Sequence, residues 1–337
     1  MRKFISILMV LALAFGVLPA TAVFAAEEGS TTGSFSVGGV APTVSSSALQ
    51  VYSDAGLTMV AAAMTPQVIY YVKVTVSDPN TLNDIKEVKV KLFYDVGGTH
   101  PDEATITAGH EQTACIFTWT KVGNTWTKDA GAGTSWAIVA ASSVIPTMTA
   151  SSGDWIFAIK VGKVATESMA PDVWDLYASA TDNTGYTAGS YLWGKTVLWY
   201  GEVHVLTANI NFGEVALGSG FADNVNEVSG PVVNAISNGD HSMIMKSSAT
   251  WTGTSNIATL DPNGNCVNAK EFALKVYYMD AYGSAFLLNS TGIVTFSDEQ
   301  TLETGVTMAG GVFWLKIATV FPVDVYSGSI TFTVTNS

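Results

Sequence analysis

The chain has 337 residues and a formal net charge of −13, with 48% hydrophobic and 13% charged residues. Arg2 is its one arginine, so the rest of the chain lacks the planar, bidentate donor that proteins use to bind phosphate and to read base edges. An acidic surface of this kind repels nucleic acid and anionic lipid, and we expect no nucleic-acid partner. The length is enough for about two domains with cores of their own.

Residues 1–25 have the composition of a secretory signal peptide. Arg2 and Lys3 give a positive start, residues 4–18 are apolar, and small residues then provide a cleavage site, which we place after Ala25. The alternative is an uncleaved anchor, but the apolar run is shorter than the ~20 residues that a bilayer span needs. We predict a mature chain that is secreted or held at the cell surface and does not insert into a membrane.

The mature chain divides into a tail and two larger segments. Residues 26–47 are small, polar and glycine-rich, which predicts a flexible tail. The strand patterns that follow predict a first domain at 48–194 and a second domain at 195–337. The two segments are not obvious copies of each other.

The most regular pattern in the sequence lies between residues 68 and 94. Val72, Val74 and Val76 alternate with polar residues, and the run 88–92 repeats this alternation. Successive side chains of a strand point to opposite faces, so each run has one face for a core and one for water. Asp, Asn and Pro between the two runs are turn formers. The segment therefore predicts two strands joined by a polar bend.

Short alternating runs continue to the end of the chain. A hairpin is predicted over 115–128, with Val122 and Gly123 at its bend. Later runs are separated by turns rich in Gly, Asn and Asp, such as 238–240 and 261–264. Amphipathic runs of period 3.6 are almost absent. We predict an all-β fold with sandwich packing.

Two segments of the first domain, VTVSDPNTLNDIKEVKVKL and YASATDNTGYTAG, resemble the bacterial and archaeal immunoglobulin-like or fibronectin-III-like modules of cell-surface proteins. The residues that match the pattern of these modules are Val76, Asp78, Asp84, Ile85, Ala180, Asp182 and Gly185. The C-terminal VYSGSITFTVTNS is similar to the closing strand of many such repeats. The resemblance implies two immunoglobulin-like β-sandwich domains, but a fold alone does not assign a function.

In an immunoglobulin-like sandwich, the bend after the second strand and the bend of the last hairpin lie at the same end. This placement would bring together Asp78, Asn80, Asp84 and Asp182. Clustered carboxylate and amide oxygens suit calcium, a hard cation that takes several oxygen ligands. The alternative interpretation is that each Asp or Asn closes its own turn through backbone hydrogen bonds. The sequence leaves both interpretations open, with calcium as the one candidate cofactor.

Nine tryptophans raise the question of sugar binding, since indole faces stack on pyranose rings. Trp119, Trp126 and Trp136 lie close together in sequence, and two of them can share one face of the predicted hairpin. The alternative is that they fill the core between two sheets, as large aromatic residues commonly do.

The sequence shows no common catalytic motif, since it has neither a G-x-S-x-G nucleophile elbow nor a P-loop. The four histidines lack metal-ligand spacing. Cys115 and Cys266 are too few for a zinc site, and we predict two buried thiols rather than a disulfide. We predict that the chain is not an enzyme.

These observations predict a secreted cell-surface protein with a structural or adhesive role. Its expected partners are copies of itself or other surface proteins, assembled in an S-layer or filament. The alternative is a carbohydrate-binding module of an exported protein, with a polysaccharide as its partner. Exposure of the three tryptophans would favour the sugar hypothesis, and their burial would favour the structural one.

Overall fold

The computed structural model describes residue 34 and residues 38–100, 106–207, 210–218, 220–221, 226–277 and 285–337. Gly39–Ser337 form one compact unit. The predicted signal peptide and half of the predicted tail lie outside the described residues. No helix in the described part of the chain is both long and apolar enough to cross a membrane.

The described strands before residue 198 surround the first hydrophobic core. They are β1 Thr43–Val44, β2 Gln50–Tyr52, β3 Ala63–Met64, β4 Ile69–Ser77, β5 Ile85–Asp95, β6 Ala114–Thr120, β7 Thr125–Lys128, β8 Ala137–Ile138, β9 Ser152–Lys160, β10 Val173–Asp182 and β11 Thr187–Val197. Short 3-10 turns lie between them at Leu82–Asp84, Val96–Gly98, Val122–Asn124, Ala130–Ala132 and Ala140–Ser142.

Two sheets enclose this first core. One sheet has the order β1-β4-β9-β8, with β2 also paired to β4, and the other has the order β3-β11-β10-β5-β6-β7. The chain changes sheet between β4 and β5, whereas β10 and β11 pair as an antiparallel hairpin. A sheet holding β4 and β9, packed on a sheet holding β5, β10 and β11, has the arrangement of an immunoglobulin-like sandwich. The predicted all-β sandwich fold is confirmed.

The alternation of the sequence sets which face of β4 is buried. Val72, Val74 and Val76 are fully buried, whereas Lys73 and Thr75 are partly exposed. β5 shows the same alternation from its fourth to its eighth residue. Because side chains alternate along a strand, only this register places the apolar set of both strands inside the sandwich.

Aromatic side chains fill the space between the two sheets. Trp119 on β6 lies 5.3 Å from Trp155 on β9, measured between ring centroids. Trp136 and Trp174 form a second pair at 5.7 Å. All four are at most 1% exposed. Tilted contacts of this kind add to the apolar area that the rings bury.

The described strands after residue 200 surround the second core. They are β12 Gly201–Val205, β13 Glu227–Ser229, β14 Val233–Ser237, β15 His241–Ser247, β16 Thr250–Thr252, β17 Ile257–Leu260, β18 Glu271–Tyr277, β19 Phe286–Leu287, β20 Ile293–Asp298, β21 Val306–Met308, β22 Val312–Ile317 and β23 Ile330–Asn336. They form three sheets with the orders β12-β14-β21, β20-β15-β23 and β13-β22-β18-β17-β16, and β19 pairs with β18. The second core takes buried residues from all three sheets.

The two cores meet near the end of β11. The residues of the first core end at Val197, and Trp199 already packs against the second core. The boundary predicted between 194 and 195 therefore lies inside β11. The division into two domains stays a prediction, since both cores belong to one compact unit. At the other end, Thr43 and Val44 pair with β4, although the predicted flexible tail extended to residue 47.

Candidate metal centre

Three turns meet at one end of the first sandwich and bring three aspartates together. Asp78 follows β4, Asp84 ends the 3-10 turn before β5, and Asp182 is the last residue of β10. One carboxylate oxygen of each lies within 4.8 Å of those of the other two. The resemblance to an immunoglobulin-like sandwich predicted this meeting, and the structure brings the three residues together.

Backbone hydrogen bonds hold the turn that carries Asp78 and Asp84. The Asp78 N–H donates to the carbonyl oxygen of Ser151 at 2.8 Å, and the Leu82 N–H donates to that of Ala150 at 2.8 Å. Leu82 is fully buried and belongs to the first core. The segment between β4 and β5 is therefore anchored by backbone hydrogen bonds at Asp78 and Leu82 and by the buried side chain of Leu82.

A β-bulge positions Asp182. The pairing of β10 with β5 shifts between Thr181 and Asp182, so that Asp182 lies opposite Ile85. Bulges bend a strand locally and change the direction of a side chain. Asp182 is 0% exposed, and its carboxylate lies beside those of Asp78 and Asp84.

Two of the three carboxylates each retain one buried oxygen that has no hydrogen-bond partner among the described residues. Asp78 Oδ1 accepts from the Asn80 N–H at 2.7 Å, but Asp78 Oδ2 has no partner. Asp182 Oδ1 accepts from Thr184 Oγ1 at 2.8 Å and from the Tyr186 N–H at 2.9 Å, and Asp182 Oδ2 has no partner. Leaving a buried carboxylate oxygen unpaired is costly, because water no longer solvates it.

The charges of the cluster act on one another. Burial raises the pKa of Asp78, and the charges of Asp84 and Asp182 raise it further, against the hydrogen bond from Asn80. Burial also acts to raise the pKa of Asp182, but hydrogen bonds from Thr184, Gly185 and Tyr186 outweigh it and lower that pKa. None of the ion pairs found in the described ranges involves these three carboxylates. Among the described residues, the three carboxylates are thus not paired with a cationic side chain.

Hydrogen bonds that close the turns account for some of the carboxylate oxygens of the cluster and leave others without a partner. Asn80 closes the turn after β4 through its backbone N–H, and this bond occupies Asp78 Oδ1 as the turn interpretation predicts. Asp78 Oδ2 and Asp182 Oδ2 remain for a ligand. Calcium binding by Asp78, Asn80, Asp84 and Asp182 stays a prediction.

A second cluster, which was not predicted from the sequence, is formed by Asp95, His100 and Asp175. His100 Nδ1 lies 3.0 Å from Asp175 Oδ2 and 3.4 Å from Asp95 Oδ2, and both aspartates are 1% exposed. The hydrogen bond to Asp175 raises the pKa of His100. An aspartate inside the apolar run VWDLYASA was the available signal, because a buried carboxylate needs a partner.

The oxygens of this second cluster all accept hydrogen bonds. Asp95 Oδ1 accepts from the Thr99 N–H at 3.0 Å, and Asp95 Oδ2 accepts from the His100 N–H at 2.8 Å. Asp175 Oδ1 accepts from the Gly194 N–H at 2.8 Å, and Asp175 Oδ2 lies against the His100 ring. The second cluster is therefore satisfied by the protein itself and fits a structural ion pair.

The structure places the three tryptophans of the sugar hypothesis in or against the first core. Trp119 and Trp136 are each 1% exposed, and Trp126 is half-buried with its ring edge against Phe157 at 4.8 Å. The indole N–H groups of the two buried residues are used as well: Trp119 donates to Asn124 Oδ1 at 2.7 Å and Trp136 to the Glu111 carbonyl oxygen at 2.9 Å. The burial of Trp119 and Trp136 and the packing of Trp126 against the first core contradict the hypothesis that these three residues form a sugar platform.

A row of aromatic side chains does reach the surface on β10 and β11. Trp193 is 39% exposed, but it stacks on Tyr191 with ring centroids 4.2 Å apart and contacts His100 at 4.4 Å. Tyr191 in turn contacts Tyr177 at 4.7 Å. The faces of Trp193 and Tyr191 are engaged with neighbouring rings, so the row does not form a flat platform for a sugar.

Cys115 and Cys266 are both free and buried, which confirms the prediction of two thiols. Burial raises the pKa of Cys266 to about 11 and raises that of Cys115 further. Neither thiol ionises near neutral pH, and both act as small apolar side chains.

No protein-family model matches the chain, and no curated protein matches it. Among solved structures, BcpA, the major pilin subunit of Bacillus cereus, is 11% identical over 82% of this chain and 56% of that chain, with a TM-score of 0.22. A variant of that pilin is 10% identical over 86% and 66% of the two chains, with a TM-score of 0.23. A DUF4466 family protein from Parabacteroides merdae is 7% identical over 83% of this chain and 100% of its own, with a TM-score of 0.25.

The chain thus spans about half to two thirds of the length of the two pilin structures. At TM-scores this low, these likenesses carry no conclusion about function.

Proposed function

We propose that this chain is an exported structural or adhesive protein of the cell surface, which associates with copies of itself or with other surface proteins in a layer or filament. The observation that carries the proposal is the hydrogen-bonded junction between its two hydrophobic cores. A building block whose two halves keep one geometry can hold its neighbours in a constant register. Repeated contacts of this kind generate layers and filaments.

Glu303, from the turn before β21, is the first element of this junction. Its Oε2 accepts from the Thr134 N–H at 2.6 Å and from Thr134 Oγ1 at 2.9 Å. Its Oε1 accepts from the Ser135 N–H at 2.7 Å and from the Ser135 hydroxyl. Burial opposes ionisation of Glu303, but these hydrogen bonds outweigh it and lower the pKa of the carboxyl. Hydrogen bonds to a charged group are the stronger kind.

Asn238 is the second element, and it is fully buried. Its Nδ2 donates to the carbonyl oxygens of Ala165 at 2.8 Å and Leu198 at 2.9 Å, and its Oδ1 accepts from the Tyr200 N–H at 2.6 Å. The Glu167 N–H donates to the Asn238 carbonyl oxygen at 2.8 Å. The Asn238 side chain thus bonds to the loop before β10 and to the connection after β11, and the Asn238 backbone bonds to Glu167.

A second observation supports association through a specific surface. The loop before β23 exposes Val320, Val323 and Val325 by 64%, 103% and 83%. Asp324 between them accepts from the backbone N–H groups of Thr254 and Ser255 at 2.9 Å each. Apolar side chains held outwards by a fixed loop are typical of a protein contact site. We name Val320, Val323 and Val325 the valine loop and assign a second copy of the chain as its partner.

Electron microscopy and light scattering of the purified chain from Ala26 test this function. We expect ordered polymers whose formation is lost when Val323 and Val325 are both changed to serine. Val122→Ser is the matched control, since Val122 is 87% exposed at the bend between β6 and β7. Wild-type protein that stays monomeric at every concentration and binds no other protein of the cell surface would contradict the proposal.

A variant of the junction tests the role of a fixed geometry. Glu303→Gln keeps the shape of the side chain and removes its charge, so we expect polymers that are less regular or that form at higher concentration. Glu214→Gln is the control, because Glu214 is exposed. Polymers of unchanged order in Glu303→Gln would show that the junction does not carry the assembly.

A further inference from the structure

We propose that Asp78, Asp84 and Asp182 bind a calcium ion, which joins the three turns at one end of the first sandwich. This inference does not depend on the cell-surface role, since it rests on the geometry of the cluster alone. The three residues come from separate elements, and one oxygen of each lies within 4.8 Å of the others. A single ion can therefore contact all three carboxylates.

The unpaired oxygens are the observation that distinguishes this cluster from an ordinary acidic surface. Asp78 and Asp182 are 1% and 0% exposed, and Oδ2 of each has no hydrogen-bond partner among the described residues. Buried polar atoms of native proteins are paired as a rule, and an exception points to a partner such as an ion or an ordered water. A cation bound between the two Oδ2 atoms would satisfy both and would balance the charge of the cluster.

The protein offers no cation of its own for this role in the described part of the chain. Lys121, whose ammonium reaches this end of the sandwich, donates to the carbonyl oxygen of Asn83 rather than to a carboxylate. The one arginine of the sequence is Arg2, inside the predicted signal peptide. The negative charge of the three aspartates is thus left for an ion from solution.

The ligand set selects calcium among common metal ions. All three side chains offer oxygen, and neither histidine nor cysteine belongs to the cluster, which argues against zinc and the softer metals. Asp84 is half-buried, so the site is open to water on one side. Irregular turns with carboxylates and carbonyl groups suit the variable coordination of calcium, whereas magnesium demands a near-ideal octahedron.

The cluster of Asp95, His100 and Asp175 is an internal comparison. Its two carboxylates are equally buried, but each of their oxygens accepts a hydrogen bond, and the His100 ring lies against both of them. Burial of acids alone therefore does not make a calcium site in this protein. We expect the ion at the first cluster, where oxygens are left unpaired, and not at the second.

Calorimetric titration and thermal melts of the purified chain, with calcium chloride, magnesium chloride or chelator, test the inference. We expect calcium to raise the melting temperature, since a ligand that binds only the native state stabilises it. Asp78→Asn and Asp182→Asn should raise the calcium Kd by roughly tenfold or more, because each removes a charged ligand. Asp175→Asn is the matched control and should leave the calcium Kd unchanged.

Melting in chelator distinguishes calcium binding from a purely structural role of the acids, which would make the variants less stable with and without calcium. Asp78→Asn removes the repulsion of Asp78 with Asp84 and Asp182. Without calcium the variant should therefore melt at or above the wild-type temperature, and with calcium it should melt below it. Coincident wild-type melts in calcium and chelator, with no heat of binding, would overturn the proposal. An equal stabilisation by magnesium would overturn the choice of calcium, and an equal loss of binding in Asp175→Asn would overturn the location.

Discussion

Asn183 binds Asp84 through two hydrogen bonds, although the two residues are 99 positions apart in the chain. The Asn183 side-chain amide donates to Asp84 Oδ1 at 2.9 Å, and its backbone N–H donates to the Asp84 carbonyl oxygen at 2.8 Å. The turn between β10 and β11 is thereby joined to the turn before β5. This contact closes the end of the sandwich at which the three aspartates meet.

Asn183→Ala should lower the free energy of unfolding by about 1 kcal/mol, because it removes one side-chain hydrogen bond at an exposed position. Chemical denaturation of the variant in chelator measures this change without a contribution from calcium. Asn80→Ala is the matched control, since the hydrogen bond of Asn80 to Asp78 uses the backbone N–H, which alanine retains. Equal losses in the two variants would show that the amide of Asn183 does not hold the turns together.

Leu92→Asp should unfold the first sandwich or lower its free energy of unfolding by more than about 4 kcal/mol, because it places an unpaired charge in the core. Leu92 is 1% exposed and packs inside the first core. Thermal melts followed by near-ultraviolet circular dichroism, which reports the packing of the buried tryptophans, measure the loss.

A lysine on the exposed face of β5 provides the control for Leu92→Asp, which tests which face of this strand is buried. Lys89 makes an exposed ion pair with Glu87 at 2.7 Å, so Lys89→Gln should cost less than about 1 kcal/mol. Lys91 is a poorer control, since its ammonium donates to the Ile106 carbonyl oxygen at 2.9 Å. A loss in Lys89→Gln as large as that in Leu92→Asp would mean that the faces of β5 are assigned wrongly.

His241 should make the protein less stable as the pH falls below about 6.5, the usual pKa of histidine. Its ring is fully buried, and Nδ1 contacts Ser237 Oγ at 2.9 Å and the Glu299 carbonyl oxygen at 3.1 Å. Burial lowers the pKa of His241, although the Glu299 carbonyl and the charges of Asp298 and Asp240 act against it.

The sign follows from proton binding. Below pH 6.5 the unfolded chain binds a proton at this histidine before the folded chain does, so stability rises with pH through this window and is complete above it. His241→Gln should remove this part of the pH dependence. Denaturation at pH 7.5 and pH 5.5 measures it, and an unchanged difference between wild type and variant would contradict the assignment.

His100 should act in the opposite direction. Its hydrogen bond to Asp175 raises its pKa, so the folded chain binds the proton more tightly than the unfolded chain. The stability from His100 is present in full below about pH 6.5 and is lost as the pH rises through the raised pKa. His100→Gln should therefore lose more stability at pH 6 than at pH 8. An equal loss at both values would mean that His100 is neutral in the folded protein.

Much of the fold follows from local patterns in the sequence. The predicted strands at 68–76 and 85–94 are β4 and β5 within one residue at each end, and the predicted hairpin at 115–128 is β6 and β7. A strand has a side-chain period of two, so alternation along the chain reports both the strand and its buried face. The very short strand β3 escaped prediction, because two residues show no alternation.

The candidate metal centre was predictable only in part. The three aspartates stand beside turn formers, and the order of strands in an immunoglobulin-like sandwich places their turns at one end. The sequence does not indicate which carboxylate oxygens are left without partners, because this depends on the folded geometry of the turns. Asn80 donates to one oxygen of Asp78, and Thr184 and Tyr186 both donate to one oxygen of Asp182. The His100–Asp175 contact was missed for a related reason, since 75 residues separate its members.

The long strands and their buried faces can be predicted from the sequence, because both depend on the geometry of neighbouring residues along one backbone. Tertiary packing sets the burial of Trp119 and Trp136 in the core and the hydrogen bonds of Glu303 to Thr134 and Ser135. It also decides that Asp78 and Asp182 each keep an unpaired oxygen. These features depend on which distant side chains meet when two sheets pack, and the period of a single strand carries no information about its partner across the core.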